Sequence, residues 1–293
     1  MNIVQVRNVS KIYGKNGKAV KALSDISFSI ESGVFGLLGA NGAGKTTLMK
    51  LLSTISKPTS GSITICGFDT QEQGDEVRKL IGYLPQELNM YPTLSVIDFV
   101  SYMAELKGIR NRKKVVEILE QVDMAEFSKR HISQLSGGMK RRVGIASALI
   151  GEPRVLIVDE PTAGLDPEEC VRFRGILSRY AKDGNCVILS THIVEDVYQL
   201  CEQLAVLRKG TLFFHGTTDE LLARVTGKVK VVELKKENDL ISLQRNTVVL
   251  SLTYEHNTIQ ARIMDENNTF SAPVVKETLE DAYVYCMGGK AYA

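Results

Sequence analysis

Gly33-Val34-Phe35-Gly36-Leu37-Leu38-Gly39-Ala40-Asn41-Gly42-Ala43-Gly44-Lys45-Thr46-Thr47-Leu48 is the stretch that decides the fold. Gly33 to Leu38 is a short, mostly apolar run that reads as a strand, and Thr46 to Ile55 carries helical spacing. Between them Gly39 to Thr46 fits the phosphate-loop pattern G-x-x-x-x-G-K-[ST] in full. Strand, glycine loop and helix in that order form the context in which such a loop holds nucleotide phosphates. The expected fold class is therefore α/β, with a P-loop NTPase core.

Upstream, Ile3 to Ile30 alternates apolar and polar residues, with turn signals at Tyr13-Gly14 and Asn16-Gly17, as in an antiparallel sheet. Downstream, Ser62 to Cys66 reads as a strand and Glu76 to Lys79 as a short polar helix before Ile81-Gly82-Tyr83-Leu84. From Thr93 to about Leu149 the period becomes helical. Val96, Phe99, Val100 and Met103 share one face, and Val115, Ile118, Leu119 and Val122 another. This predicts a helical insert at about 87–149. Val155 to Val158 and Cys186 to Leu189 are continuous apolar runs, as expected of strands buried on both faces of a parallel sheet. Glu168 to Tyr180 supplies the crossover helix.

After residue 216 the pattern changes, predicting a large α/β domain at 1–216 and a small α+β accessory domain at 217–293. Thr218 or Asp219 reads as a helix cap. Val229 to Val231, Val248 to Leu252 and Ile259 to Ile263 read as strands, with a turn at Glu255-His256-Asn257. A last helix is expected from about Lys276 to Met287.

The 293 residues include 36 basic and 34 acidic side chains, a balance that sets up no strong field for nucleic acid. Two basic runs, Arg110 to Lys114 and Lys140 to Arg142, lack interleaved aromatics. They read as solvated helix faces or as contacts near lipid headgroups rather than as a nucleic-acid site. Five scattered cysteines with no C-x-x-C pair read as reduced core thiols of a cytosolic protein. The amino terminus lacks the apolar core of a secretory signal. No apolar run approaches the roughly 20 residues of a membrane helix. Any membrane-spanning part is expected on another chain.

Two further motifs narrow the class. Leu135-Ser136-Gly137-Gly138-Met139 is a helix-start device that exposes N–H groups to an anion. Val155-Leu156-Ile157-Val158-Asp159-Glu160 ends a strand on two carboxylates, at the carboxyl edge where open α/β sheets bind ligands. In this order and spacing, the phosphate loop, the Leu-Ser-Gly-Gly run and the Asp-Glu strand resemble the ATP-binding cassette family, the motor subunits of ABC transporters. The resemblance covers most of the chain and implies a RecA-like core with an antiparallel β subdomain, ATP as ligand and Mg²⁺ as cofactor.

The same resemblance implies roles for individual residues. Backbone N–H groups of Gly39, Ala40, Asn41, Gly42, Ala43 and Gly44 converge on the phosphates, Lys45 neutralises the β- and γ-phosphates, and Thr47 reaches the α-phosphate. Mg²⁺ is expected on Thr46, Gln86 and Asp159. Glu160 is the expected catalytic carboxylate, acting on the attacking water, and His192 the switch histidine that contacts the γ-phosphate. Tyr13 stands where relatives stack an aromatic ring on adenine. Ser136, Gly137 and Gly138 are implied to hold the γ-phosphate bound by the opposite subunit, with Asp166 in the loop that crosses the dimer seam. His131, His215 and His256 are read as surface or packing residues.

Met139 departs from the Gln or Glu of many cassettes. Leu-Ser-Gly-Gly-Met-Lys-Arg-Arg resembles the form found in partners of ABC-2 type exporters. The tail Glu277-Thr278-Leu279-Glu280-Asp281-Ala282-Tyr283 resembles the ending of drug, peptide and antibiotic-resistance exporters, with Tyr283 in the aromatic place. Asn89 to Ser95 reads equally as a docking surface for a membrane subunit or as buried insert. The expected protein is thus a dimeric or heterodimeric ATPase working with integral-membrane permease subunits, peripheral on the cytoplasmic face of the cell membrane. The alternatives are an importer ATPase and a non-transport soluble cassette. A translation cassette would carry two cassettes in tandem, and a chromosome-maintenance ATPase a long coiled coil.

Overall fold

The computed structural model describes residues 2–14, 19–255 and 258–288. Two compact units divide the chain after His215. The first runs β1 (Val4–Tyr13), β2 (Val20–Ile30), β3 (Gly33–Leu38), α1 (Lys45–Leu52), β4 (Ser60–Ile65), β5 (Phe68–Asp69), α2 (Gly74–Leu80) and β6 (Ile81–Leu84). It continues through α3 (Val96–Leu106), α4 (Arg112–Gln121), α5 (Gly137–Leu149), β7 (Val155–Asp159), α6 (Pro167–Lys182), β8 (Cys186–Thr191), α7 (Val194–Leu200), β9 (Gln203–Arg208) and β10 (Thr211–Thr217). The second contains α8 (Thr218–Ala223), β11 (Val229–Leu234), α9 (Glu237–Asn246), β12 (Val248–Glu255), β13 (Thr258–Met264) and α10 (Leu279–Cys286).

Two sheets build the first unit. The outer one has the order β2-β1-β4-β5, with antiparallel pairing of β1 to β2 and to β4. The central one has the order β10-β9-β3-β8-β7-β6, and β3, β6, β7, β8 and β9 run parallel. All five residues of β7 and all six of β8 are buried, which is why Val155 to Val158 and Cys186 to Leu189 are continuously apolar rather than alternating, with polar Asp159, Ser190 and Thr191 at the strand ends. Leu48, Met49, Leu51 and Leu52 of α1 are fully buried among Ile157, Ile188 and the inner residues of the outer sheet. Burial at about 25 cal/mol per Å² of apolar surface anchors α1, and with it the end of the phosphate loop. The insert helices α3, α4 and α5 enclose a second core, in which Val96, Phe99, Val100, Val115, Ile118, Leu119 and Val122 are buried.

The second unit pairs β11-β13-β12 antiparallel and adds three helices. Its first cap is Thr217, one residue before the expected Thr218 or Asp219. Thr217 and Glu220 form a capping box that satisfies two orphan donors at once. The last helix starts at Leu279 rather than Lys276, because Thr278 and Asp281 form another such box. The Leu-Glu-Asp tail motif thereby gains a structural account. Leu279 is buried, and Asp281 both caps α10 and receives Arg262. The helix α9 was not among the expected elements. The expected turns at Asn16-Gly17 and Glu255-His256-Asn257 lie partly or wholly outside the described residues. Among the described residues, no helix is long and apolar enough to cross a membrane and no disulfide forms.

Candidate active site

The carboxyl edge of the central sheet opens on a cleft of about 400 Å³ lined by Asn41, Gly42, Gly44, Lys45, Thr46, Thr47, Gln86 and Glu160. Gly44 has φ of +107°, and a Cβ there would sit 2.9 Å from the Ala22 carbonyl oxygen, so only glycine lets the loop turn into α1. Val20, Lys21, Ala22, Lys209 and Gly210 complete the wall. Sequence reading missed these five. Lys209 and Gly210 both have positive φ and form the turn between β9 and β10. The Gly210 N–H donates to the Ala43 carbonyl at 2.9 Å, which ties that turn to the phosphate loop.

Lys45 is almost fully buried. Its Nζ donates to the Gly39 carbonyl at 2.7 Å and to Ala40 at 3.3 Å, and lies 3.1 Å from a Glu160 carboxylate oxygen. The other Glu160 oxygen lies 2.6 Å from His192 Nδ1. An ionised carboxylate only accepts, so this contact places the proton on Nδ1. Glu160 itself holds φ of +49°, a left-handed conformation uncommon for a non-glycine residue, and its N–H donates to Ser190 at the end of β8. The structure therefore brings Lys45, Glu160 and His192 into one connected group.

Asp159 is buried at the end of β7. The Ser190 hydroxyl donates to its Oδ1, while Oδ2 has no hydrogen-bond partner among the described residues. A buried carboxylate oxygen left without a partner is costly, and a hard cation satisfies it. Thr46 and Gln86 line the cleft of Lys45, whereas Asp159 is not among its lining residues; the three side chains offer oxygen donors, which suit Mg²⁺. No cluster of three or more His, Cys, Asp or Glu ligands exists among the described residues. Ser190 is the residue that sequence reading passed over. It stands two places before His192, where the apolar run Cys186 to Leu189 gives way to Ser190 and Thr191 within β8, and that change to polar residues was the available signal.

Tyr13 pairs in register with Val20 of the cleft wall and is 41% exposed, with Lys11 Nζ 5.0 Å above its ring. Ser136 caps α5 by accepting from the Met139 N–H at 3.2 Å. Ser136 and Gly137 face solvent, whereas Gly138 is buried where a Cβ would meet Glu169 Cγ at 2.6 Å. Asp166 caps α6, its carboxylate accepting from the Glu169 N–H at 2.9 Å. None of Tyr13, Ser136, Gly137, Gly138 or Asp166 lines the cleft of Lys45.

One expectation about charge is overturned. Lys140 to Arg142 is not a solvated face. Arg142 is 3% exposed, its Nε lies 3.2 Å from Glu169, and Nη1 donates to the Asp123 carbonyl at 2.9 Å. Arg141 is half-buried. The periodicity of α5 hid this because an arginine stem packs like an apolar residue. The Asn89 to Ser95 stretch divides between its two readings. Met90 and Leu94 pack on the insert core, while Tyr91 is exposed and meets Tyr102 edge to face at 6.0 Å.

Residues 23–163 match the ABC transporter family model. The chain is 35% identical to a linearmycin resistance ATP-binding protein of Bacillus subtilis, over 77% of this chain and 72% of the relative. It is 37% identical to a methionine import ATP-binding protein of Myxococcus xanthus, over 75% and 70%. Among solved structures, a dimeric, post-hydrolysis ATP-binding cassette bound to ADP and Pi superimposes with a TM-score of 0.66. That match has 27% identity and covers 73% of this chain and 98% of the other. With the cleft, its buried lysine and its paired carboxylates in view, the chain belongs to the ATP-binding subunits of ABC transporters and hydrolyses ATP.

Proposed function

We propose that this chain powers export of a drug-, peptide- or antibiotic-like compound through separate integral-membrane permease subunits. It acts from the cytoplasmic face of the membrane, as a homodimer or with a second cassette chain. The observation that carries the catalytic part is the group Lys45, Glu160 and His192 at the mouth of the phosphate loop. Phosphoryl transfer needs little covalent help from the protein, so positioning and charge decide the rate. The phosphate-loop N–H groups and Lys45 hold the phosphates, and Glu160 orients and polarises the water, with His192 fixing its second oxygen. Mg²⁺, on Thr46, Gln86 and Asp159, would supply charge neutralisation.

Ser136 and Gly137 are exposed at a helix start and do not line the cleft of their own chain. That supports their serving the phosphate of a second subunit, with Asp166 beside the seam. Tyr13 is proposed to flank the adenine. Export is favoured over import by the Met139 form of the signature, the tail motif and the linearmycin resistance relative. The methionine import relative keeps the importer as the second reading. The two-unit division at residue 215 supports a cassette at 1–216 and an accessory domain at 217–293.

Glu160→Gln should bind ATP and give an ATP-dependent dimer on size exclusion, with turnover reduced at least about 100-fold. Unchanged turnover would sink the assignment. Purifying the chain from membranes, identifying the bound permease and measuring drug flux in inverted vesicles would separate export from import.

A further inference from the structure

Three basic residues follow the signature on α5, and they do different things. Arg142 is consumed by the Glu169 pair. Arg141 instead reaches the loop between β7 and α6, where Nη2 donates to the Ala163 carbonyl at 3.4 Å. Its Nη1 is buried with no hydrogen-bond partner among the described residues. Such an orphan donor is costly and calls for a reason. Burial lowers the Arg141 pKa, and the nearby Glu160 carboxylate acts in the opposite direction.

The loop that Arg141 touches is pinned at both ends, and across its middle the Leu165 N–H donates to the Thr162 carbonyl at 3.1 Å. At its start Glu160 is fixed by Ser190, Lys45 and His192, and at its end Asp166 caps α6. Thr162 donates to buried Asp196, which Arg174 holds at 2.9 Å. The middle contains Ala163 and Gly164, the latter at φ of +74°. Among the described residues, a long hydrogen bond from Arg141 links that middle to α5. A bond of 3.4 Å is weak, so the link can change at small cost.

We infer that Arg141 is a positioning residue for hydrolysis, whose guanidinium ties the signature helix of a chain to that chain's own Glu160-to-Asp166 loop. The inference rests on the dimer proposed above. Ser136 of each chain would meet the ATP of the other, and movement of α5 on that ATP would pass through Arg141 to the Glu160 beside its own. The two sites are then coupled through a short path of one helix, one side chain and one loop.

The test is steady-state hydrolysis by wild type, Arg141→Met and Arg141→Lys, with melting temperatures recorded alongside. Arg141→Met should lower kcat by about tenfold or more, shift KM for ATP by less than about twofold, and reduce the Hill coefficient from above 1 to 1. Arg141→Lys should restore most of kcat, because it keeps the cation. Wild-type kcat and Hill coefficient in Arg141→Met overturn the inference. So does a fall in kcat matched by equal loss of melting temperature in both variants. Arg141→Met placed in the Glu160→Gln background should still form the ATP-dependent dimer. If Glu160→Gln alone forms none, the dimer reading fails, and Arg141 is judged on the kcat and KM split alone.

Discussion

The Lys45 ammonium lies 3.1 Å from a Glu160 carboxylate oxygen, and each side chain is 5% exposed. A buried pair of this kind costs desolvation, and removing one partner leaves an uncompensated charge, at about 3–5 kcal/mol. Lys45→Ala should therefore destabilise the fold by about 3 kcal/mol as well as abolish nucleotide binding. Adding Glu160→Gln should recover most of that stability without recovering binding. A double-mutant cycle in urea measures the coupling, and additive losses would show that the pair is not felt by the fold.

Ser190 connects the two carboxylates, donating to Asp159 and accepting from the Glu160 N–H at 3.2 Å. Ser190→Ala leaves both Asp159 oxygens without a hydrogen bond from the described residues. The expected cost is about 1–3 kcal/mol of stability, with a Mg²⁺ requirement for hydrolysis raised about tenfold. A Mg²⁺ titration of ATPase rate at saturating ATP reads it. An unchanged half-saturation would mean that Ser190 does not orient the metal ligand.

The phosphate loop, the buried strands and the insert were legible because each imposes a local pattern: glycine spacing, continuous apolar runs, or a 3.6-residue period. What the sequence hid was long-range. Ser190 meets Asp159 across 31 residues of chain, and Arg142 meets Glu169 across 27. Neither pair leaves a periodic trace. The cap at Thr217 was misplaced by one residue because Thr217, Thr218 and Asp219 are all good caps, and only the reach of Glu220 back to the Thr217 N–H selects among them.

The cysteines give a pH prediction. Burial pushes the Cys186 thiol up to about 12, and raises Cys201 as well. A thiol alkylates as its thiolate, so a raised pKa keeps both inert until the pH nears that value. In folded protein at pH 8, neither should react with iodoacetamide over an hour, whereas in urea both should react at the rate of an ordinary thiol. Rapid labelling of Cys186 at pH 8 without denaturant would contradict its burial.

In the second unit, Arg262 donates through Nε to Asp281 at 3.1 Å, and Nη2 reaches the other carboxylate oxygen. Asp281 also accepts from the Thr278 N–H at 2.8 Å. Asp281→Asn should cost about 1.5–3 kcal/mol, since charge-assisted bonds are lost to a partly buried arginine. Thr278→Ala should cost about 1 kcal/mol, the cap alone. Unfolding followed by a probe on Tyr283 or Tyr285 measures both, and equal effects would assign the motif to capping rather than to the ion pair.

Gly137 and Gly138 are adjacent in sequence but face different constraints, and alanine separates them. A Cβ on Gly138 would lie 2.6 Å from Glu169 Cγ, so Gly138→Ala must displace Glu169 and with it the Arg142 pair. Overpacking of this kind costs about 1–3 kcal/mol in the isolated chain. A Cβ on Gly137 meets nothing within 4 Å, so Gly137→Ala should leave stability unchanged or raise it by a few tenths of a kcal/mol. Yet Gly137 sits at the exposed start of α5, where the proposed dimer brings a phosphate. Gly137→Ala should therefore cut hydrolysis by about tenfold or more with the monomer intact, while Gly138→Ala loses stability and hydrolysis together. Melting curves beside ATPase rates decide it. A Gly137→Ala chain with full activity would mean that no ligand closely approaches that helix start, because the only consequence of the added methyl lies outside the chain.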